Sequence, residues 1–170
     1  MNYFEFYGIP VSFNPDQQLV RQKFYELSKR YHPDFYINES EEKQAEVLEL
    51  ATLNNKAFQL LKDPRQIVSY VLKLTGHLAD GEQYTLPQGF LMEMMEVNEA
   101  LMELEFDADE KKKAELAEQI SAIEKTVTDH LQQLAQSYDA SAGNDQSEQL
   151  KTIKDLYYRM KYIARLKERI

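Results

Sequence analysis

The chain has 170 residues, with 29 Asp and Glu against 20 Lys and Arg, a net charge of −9, and no cysteine. Such an acidic balance argues against nucleic-acid or anionic-membrane binding, both of which need a basic face. Without thiols there can be no disulfide, thiolate nucleophile or cysteine-built metal or iron–sulphur site. No apolar stretch approaches the roughly 18 residues needed to span a bilayer. The start Met1-Asn2-Tyr3-Phe4-Glu5 lacks the basic-then-apolar pattern of a signal peptide, so a cytoplasmic protein is expected. Few Gly and Pro, many Leu, Glu, Lys, Ala and Gln, and no sustained strand alternation predict an all-α fold.

In chain order, Tyr3 to Tyr7 reads as a short helix closed by Gly8. Asn14-Pro15-Asp16-Gln17 offers an N-cap, a proline at the first helical position and a capping-box-like Gln. A helix then follows with Leu19 or Val20, Phe24, Leu27 and Tyr31 at helical spacing. Arg21, Lys23, Lys29 and Arg30 fall largely off that stripe, so this helix is basic outside within an acidic protein. Pro33 cannot continue it and biases His32 away from helical geometry, so His32-Pro33-Asp34 is expected in a loop with its imidazole and carboxylate turned outward.

Asn38-x-x-Glu41 can cap a third helix with a core stripe of Val47, Leu50, Ala51, Asn54, Ala57, Phe58 and Leu61, ending at Asp63-Pro64. Ile67 to Leu74 forms a short, mostly buried helix ending at Thr75-Gly76. The polar stretch from His77 to Tyr84 is the expected linker. Thr85-Leu86-Pro87-Gln88 caps the next helix, which runs roughly to Leu104. Asp107-x-x-Glu110 caps another, with Leu116, Ile120, Ile123, Val127, Leu131, Leu134 and Tyr138. Asp139 to Asp145 reads as a loop, and the last helix carries Leu150, Ile153, Leu156, Tyr157, Met160, Ile163 and Ala164. Three long helices with short loops predict an up-down-up bundle. His32, His77 and His130 show no metal-ligand spacing, and neither a metal nor a cofactor is expected.

Two constellations point to function. His32-Pro33-Asp34 follows Phe24, Tyr25, Leu27, Lys29, Arg30 and Tyr31, and precedes a helix with Asn54, Ala57, Phe58 and Asp63-Pro64. This arrangement resembles a J-domain, the ATPase-stimulating module of DnaJ-type co-chaperones, over roughly residues 1–75. The resemblance implies that Arg21, Lys23, Lys29, Arg30, His32, Pro33 and Asp34 dock on a DnaK-like chaperone. No nucleophile, metal cluster or phosphate loop surrounds His32 and Asp34, so they are not read as an acid–base pair, and the chain is not read as an enzyme.

The second constellation lies on the helix after the linker. Phe90, Met94, Val97, Leu101 and Leu104 make a core stripe. Leu91, Met95 and Met102 lie on a second flank, and Met92, Glu96, Glu99 and Glu103 continue past it. The residues alone suit either a deeply buried helix with an acidic edge or an adaptable Met-rich binding groove. Phe90-Leu91-Met92-Glu93 opening a helix, after a J-domain and before two more helices, resembles the HscB family of iron–sulphur cluster co-chaperones. That resemblance spans the whole chain: a J-domain at 1–75, a linker at 76–84 and a scaffold-binding three-helix bundle at 85–170. It implies an HscA-type chaperone and the scaffold protein IscU as partners, with scaffold contacts at Leu91, Met92, Met95, Glu96, Glu99, Glu103 and an aromatic of the last helix, Tyr158. Tyr158 and Tyr162, one turn apart and off the core stripe, are expected to be exposed. The cysteine-bearing extension of some relatives is absent, so no zinc is expected. A J-protein serving a different client is the alternative.

Overall fold

The computed structural model describes residues 1–141 and 146–170, all of whose regular elements are helical. They fall into two compact units, Met1–Leu74 and Thr75–Ile170.

The first unit holds α1 (Tyr3–Tyr7), α2 (Gln17–Arg30), a 3-10 turn (Pro33–Tyr36), α3 (Glu41–Leu61) and α4 (Pro64–Leu74). Asn2 caps α1 reciprocally with Glu5, and Gly8 closes it at φ 65°, a left-handed conformation that glycine adopts without a Cβ penalty. Helices α2 and α3 pack through Val20, Leu27, Val47, Ala57 and Leu61, all buried, and through Phe24 stacked on Phe58 at 4.1 Å. The buried Phe4 and Tyr7 and the stack of Phe4 on Tyr70 close one end. Asn54, 1 % exposed, is the buried polar residue of this core. Its Nδ2 donates to the Phe24 carbonyl and the Ser28 hydroxyl, and its Oδ1 accepts from the Tyr7 hydroxyl. One amide thereby ties α1, α2 and α3.

The caps differ from the sequence reading in a consistent way. Asp16, not Asn14, caps α2, accepting from the backbone of Gln18 and Leu19. Ser40, not Asn38, caps α3 by accepting from Lys43. Asp109, not Asp107, caps the helix that follows it. In each case two cap-competent residues stand two apart and the later one wins, because the earlier is already committed. The Asn14 amide bonds to Ser12, residues 36–39 are held in a turn, and the Asp107 amide bonds back to Glu103. Asp63 accepts from Arg65 and Gln66, so Asp63-Pro64 both ends α3 and starts α4. Leu74, expected in the buried stripe, is exposed at the end of α4.

The second unit holds α5 (Gln88–Phe106), α6 (Glu110–Ala140) and α7 (Ser147–Glu168). Its core is Phe90, Met94, Val97 and Leu101 from α5, Leu116, Ile120, Val127, Leu131 and Ala135 from α6, and Leu150, Ile153, Leu156, Met160, Ile163 and Leu166 from α7. Thr85 does not cap α5. Its N-cap is Pro87, which has no side-chain acceptor. The loop expected at 139–145 begins only after Ala140, and its residues 142–145 lie outside the described ones.

Candidate functional site

In the first unit, His32, Pro33 and Asp34 are all exposed. They do not form an irregular loop. His32 is the N-cap of the 3-10 turn, its Nδ1 accepting from the Asp34 amide at 3.3 Å, and Pro33 takes the first helical position where its missing N–H costs nothing. The Asp34 carboxylate stands 3.7 Å from the same Nδ1. The Tyr36 hydroxyl donates to the Arg30 carbonyl at 2.6 Å, which pins the turn to the last residue of α2. The motif is thus held in one shape while its polar groups stay open to a partner. Beside it, Phe35 and Ile37 are exposed apolar side chains that the sequence reading did not single out. A helical stripe cannot identify them, because they lie outside any helix longer than one turn.

The four cations of α2 are not equivalent. Glu26 pairs with Lys23 at 3.8 Å and with Arg30 at 3.1 Å. Arg21 and Lys29 make no ion pair among the described residues and are exposed. They carry the unneutralised positive field of the helix.

In the second unit, α5 buries one face and leaves a broad apolar strip open. Leu91 is 36 % exposed, Met92 62 %, Met95 60 %, Met102 53 % and Phe106 91 %. Glu96 and Glu103 are exposed along one edge of that strip, and the exposed Glu99 lies within it. Of the two readings that the residues left open, a deeply buried helix with an acidic edge does not fit these exposed apolar side chains. Phe106 was missed because the helix was expected to end near Leu104, and it runs one turn fraction further.

Tyr158 and Tyr162 are not freely exposed as expected. The Tyr158 hydroxyl donates to Glu82 Oε1 at 2.7 Å, and its ring stacks on Tyr84 at 4.4 Å with an interplanar angle of 7°. The Tyr84 hydroxyl in turn donates to Asp155 at 2.6 Å, and Lys154 pairs with Glu82 at 3.1 Å. The stretch read as linker therefore lies along α7 as a strap, with Glu82 and Tyr84 as its two attachment points. Tyr162 accepts from Asn98 Nδ2 at 2.9 Å and packs edge-on to Phe90. Burial, followed by the bond to Asp155, pushes the Tyr84 hydroxyl up to about 12. Burial and then Glu82 raise that of Tyr158 as well. The Glu82 carboxyl is held below its ordinary range, first by the Tyr158 hydroxyl and then by Lys154. No three His, Asp or Glu side chains converge as a metal site among the described residues, and none of the described helices is long and apolar enough to cross a membrane.

Comparison with known proteins agrees with this geometry. Residues 86–170 match the family model described as the HSCB C-terminal oligomerisation domain. The chain is 35 % identical over 173 aligned residues to the co-chaperone protein HscB homolog of Vibrio cholerae serotype O1, covering all of this chain and 95 % of the relative. It is similar to the solved chaperone HscB from Vibrio cholerae, with a TM-score of 0.63 and 29 % identity, covering 99 % of this chain and 98 % of that one. It is likewise similar to human co-chaperone HscB, with a TM-score of 0.75 and 25 % identity, covering 99 % of this chain and 79 % of the human one. The fold is accordingly an N-terminal J-domain, the α2–α3 hairpin with its His-Pro-Asp turn, followed by a C-terminal helical bundle. The chain belongs to the HscB family of co-chaperones.

Proposed function

We propose that the protein stimulates the ATPase of a DnaK/HscA-type chaperone and delivers an IscU-type scaffold protein to it during iron–sulphur cluster assembly. The cations of α2, led by Arg21 and Lys29, steer the first unit to an acidic face of the chaperone. His32 and Asp34, presented by the 3-10 turn, then make oriented polar contacts there. The scaffold sits on Leu91, Met92 and Met95, with Glu96, Glu99 and Glu103 selecting a basic rim. Methionine suits this role because its unbranched, polarisable chain adapts to an irregular partner surface. Holding both partners on one chain makes the second encounter intramolecular and raises its effective concentration. Iron and sulphur belong to the scaffold as cargo.

The observation that carries this reading is the exposed apolar strip of α5 in a family whose members are co-chaperones. Tyr158, expected among the scaffold contacts, is half-buried against Glu82 and Tyr84 and offers the scaffold its open side. The test is chaperone ATPase turnover measured with the protein alone, the scaffold alone and both together. Synergy is expected. Leu91→Ala/Met92→Ala/Met95→Ala, with helicity retained, should keep the basal stimulation and lose the synergy. Stimulation without any effect of the scaffold would point to a J-protein with a different client.

A further inference from the structure

Five positions on the outer side of α5 follow an alternating three-and-four spacing: Met92, Met95, Glu99, Met102 and Phe106. That is the period at which one helix accepts another along a seam, with its knobs falling between side chains of the partner. Four of the five are apolar and at least half exposed. The seam spans four helical turns, about 21 Å. A loop or an extended strand would engage such a row at only a few points, because a strand repeats every second residue.

Charge defines the occupant further. Helix α5 has five glutamates and no lysine or arginine. Beyond Glu103 the helix borders a groove of about 540 Å³ shared with the start of α6, rimmed by Glu103, Asp107 and Glu115 and by a single cation, Lys112. Phe106 forms one wall of this groove. A second α5 packed on the first would set these carboxylates against one another, with Lys112 at the groove and Arg169, already paired with Glu105, as the cations near them. A basic helix meets no such penalty.

We infer that the scaffold surface of α5 extends through Met102 to Phe106 and that it receives a basic amphipathic helix of the scaffold, with a cation opposite Glu99. This rests on the scaffold reading above and adds its distal anchor, the shape of the bound element and its charge. Phe106 is the dominant contact of the added region, as a large aromatic side chain beside an unfilled groove.

The test is calorimetric titration of an IscU-type scaffold protein into the full chain and into Phe106→Ala, Met102→Ala and Glu99→Lys, with Leu91→Ala/Met92→Ala/Met95→Ala as reference. All three single sites are exposed, so helicity and melting should match wild type. Each of the two apolar truncations should weaken binding about tenfold or more, and the charge reversal should do so most at low salt. If wild type does not bind the scaffold, the scaffold reading itself fails. If wild type binds and only the reference variant loses affinity, the extension is overturned while that reading stands. Hydrogen exchange on the scaffold should show protection in a helical segment containing Lys or Arg. Protection confined to a strand or loop overturns the helical occupant. Sedimentation of the chain alone should give a mass unaffected by Phe106→Ala. A dimer abolished by that substitution would make a second copy the occupant and overturn the proposal.

Discussion

The Tyr7 hydroxyl donates to Asn54 Oδ1 at 2.8 Å inside the first unit, and the same asparagine amide donates to α2 at the Phe24 carbonyl and the Ser28 hydroxyl. Three helices share this one polar residue, and desolvation pushes the Tyr7 hydroxyl well above its ordinary value, so it stays a neutral donor. Asn54→Ala leaves the buried phenol only its longer bond, at 3.3 Å, to the backbone carbonyl of residue 54, removes both bonds to α2 and opens a small cavity. We expect a loss of about 2–3 kcal/mol. Tyr7→Phe removes the donor but leaves Asn54 its two bonds to α2, and should cost about 1 kcal/mol. Urea unfolding of both variants checks the order. An Asn54→Ala variant as stable as wild type would remove the amide from its joining role.

The strap from residue 82 to residue 84 predicts a pH response at both ends of the scale. Glu82 has a carboxyl pKa depressed in the folded state by Tyr158 and Lys154. Its contribution is therefore present at neutral pH and is lost as pH falls below the ordinary 4.5 and through the lower folded value. Tyr84 has a pKa raised from 10.0 to about 12, so its contribution is complete below 10 and disappears as pH rises through 12. Tyr158→Phe should flatten the acid limb of stability and also weaken the alkaline limb, because the Tyr158 hydroxyl is raised along with that of Tyr84. Denaturant midpoints across pH, with tyrosinate absorbance following the alkaline side, test the assignment. An unchanged acid limb in Tyr158→Phe would detach Glu82 from it.

His32→Gln and Asp34→Asn should be nearly silent in stability, within about 0.5 kcal/mol, because both side chains are exposed and their mutual contact is at 3.7 Å. The same variants should abolish stimulation of a DnaK/HscA-type ATPase. Thermal melts paired with turnover assays separate the two effects. A variant that loses activity together with several degrees of melting temperature would make the motif structural.

Local periodicity made the helices readable in advance. The stripes of α2, α3, α5, α6 and α7 matched the buried faces because a 3.6-residue period is written directly in the chain. Where the reading failed, the cause was a competing local partner or a distant one. Asp16, Ser40 and Asp109 displaced earlier cap candidates through turn bonds that composition does not encode. Tyr158 lay off the core stripe and so read as exposed, yet Glu82 and Tyr84, more than 70 positions earlier, cover it. Phe106 escaped because helix ends are the least determined part of a periodic pattern. Membership of the exposed apolar strip was legible in residue type at Leu91, Met92 and Met95. Its extent was set by what α6 and α7 left uncovered.

Glu26 sits between Lys23 and Arg30 on α2 and neutralises part of the field expected to guide the chaperone. Both pairs are exposed i,i+3 and i,i+4 contacts, each worth only a few tenths of a kcal/mol. Glu26→Gln should thus leave stability within about 0.5 kcal/mol of wild type while releasing two cations. Association with a DnaK/HscA-type chaperone should become a few-fold faster at low ionic strength, with a steeper fall as salt is added. Arg21→Glu/Lys29→Glu should act in the opposite direction and more strongly, because those two cations have no ion-pair partner among the described residues to lose. Stopped-flow association at two or more salt concentrations distinguishes steering from contact: the steering effects converge at high salt, whereas a difference that persists there would place Glu26 itself inside the docked interface.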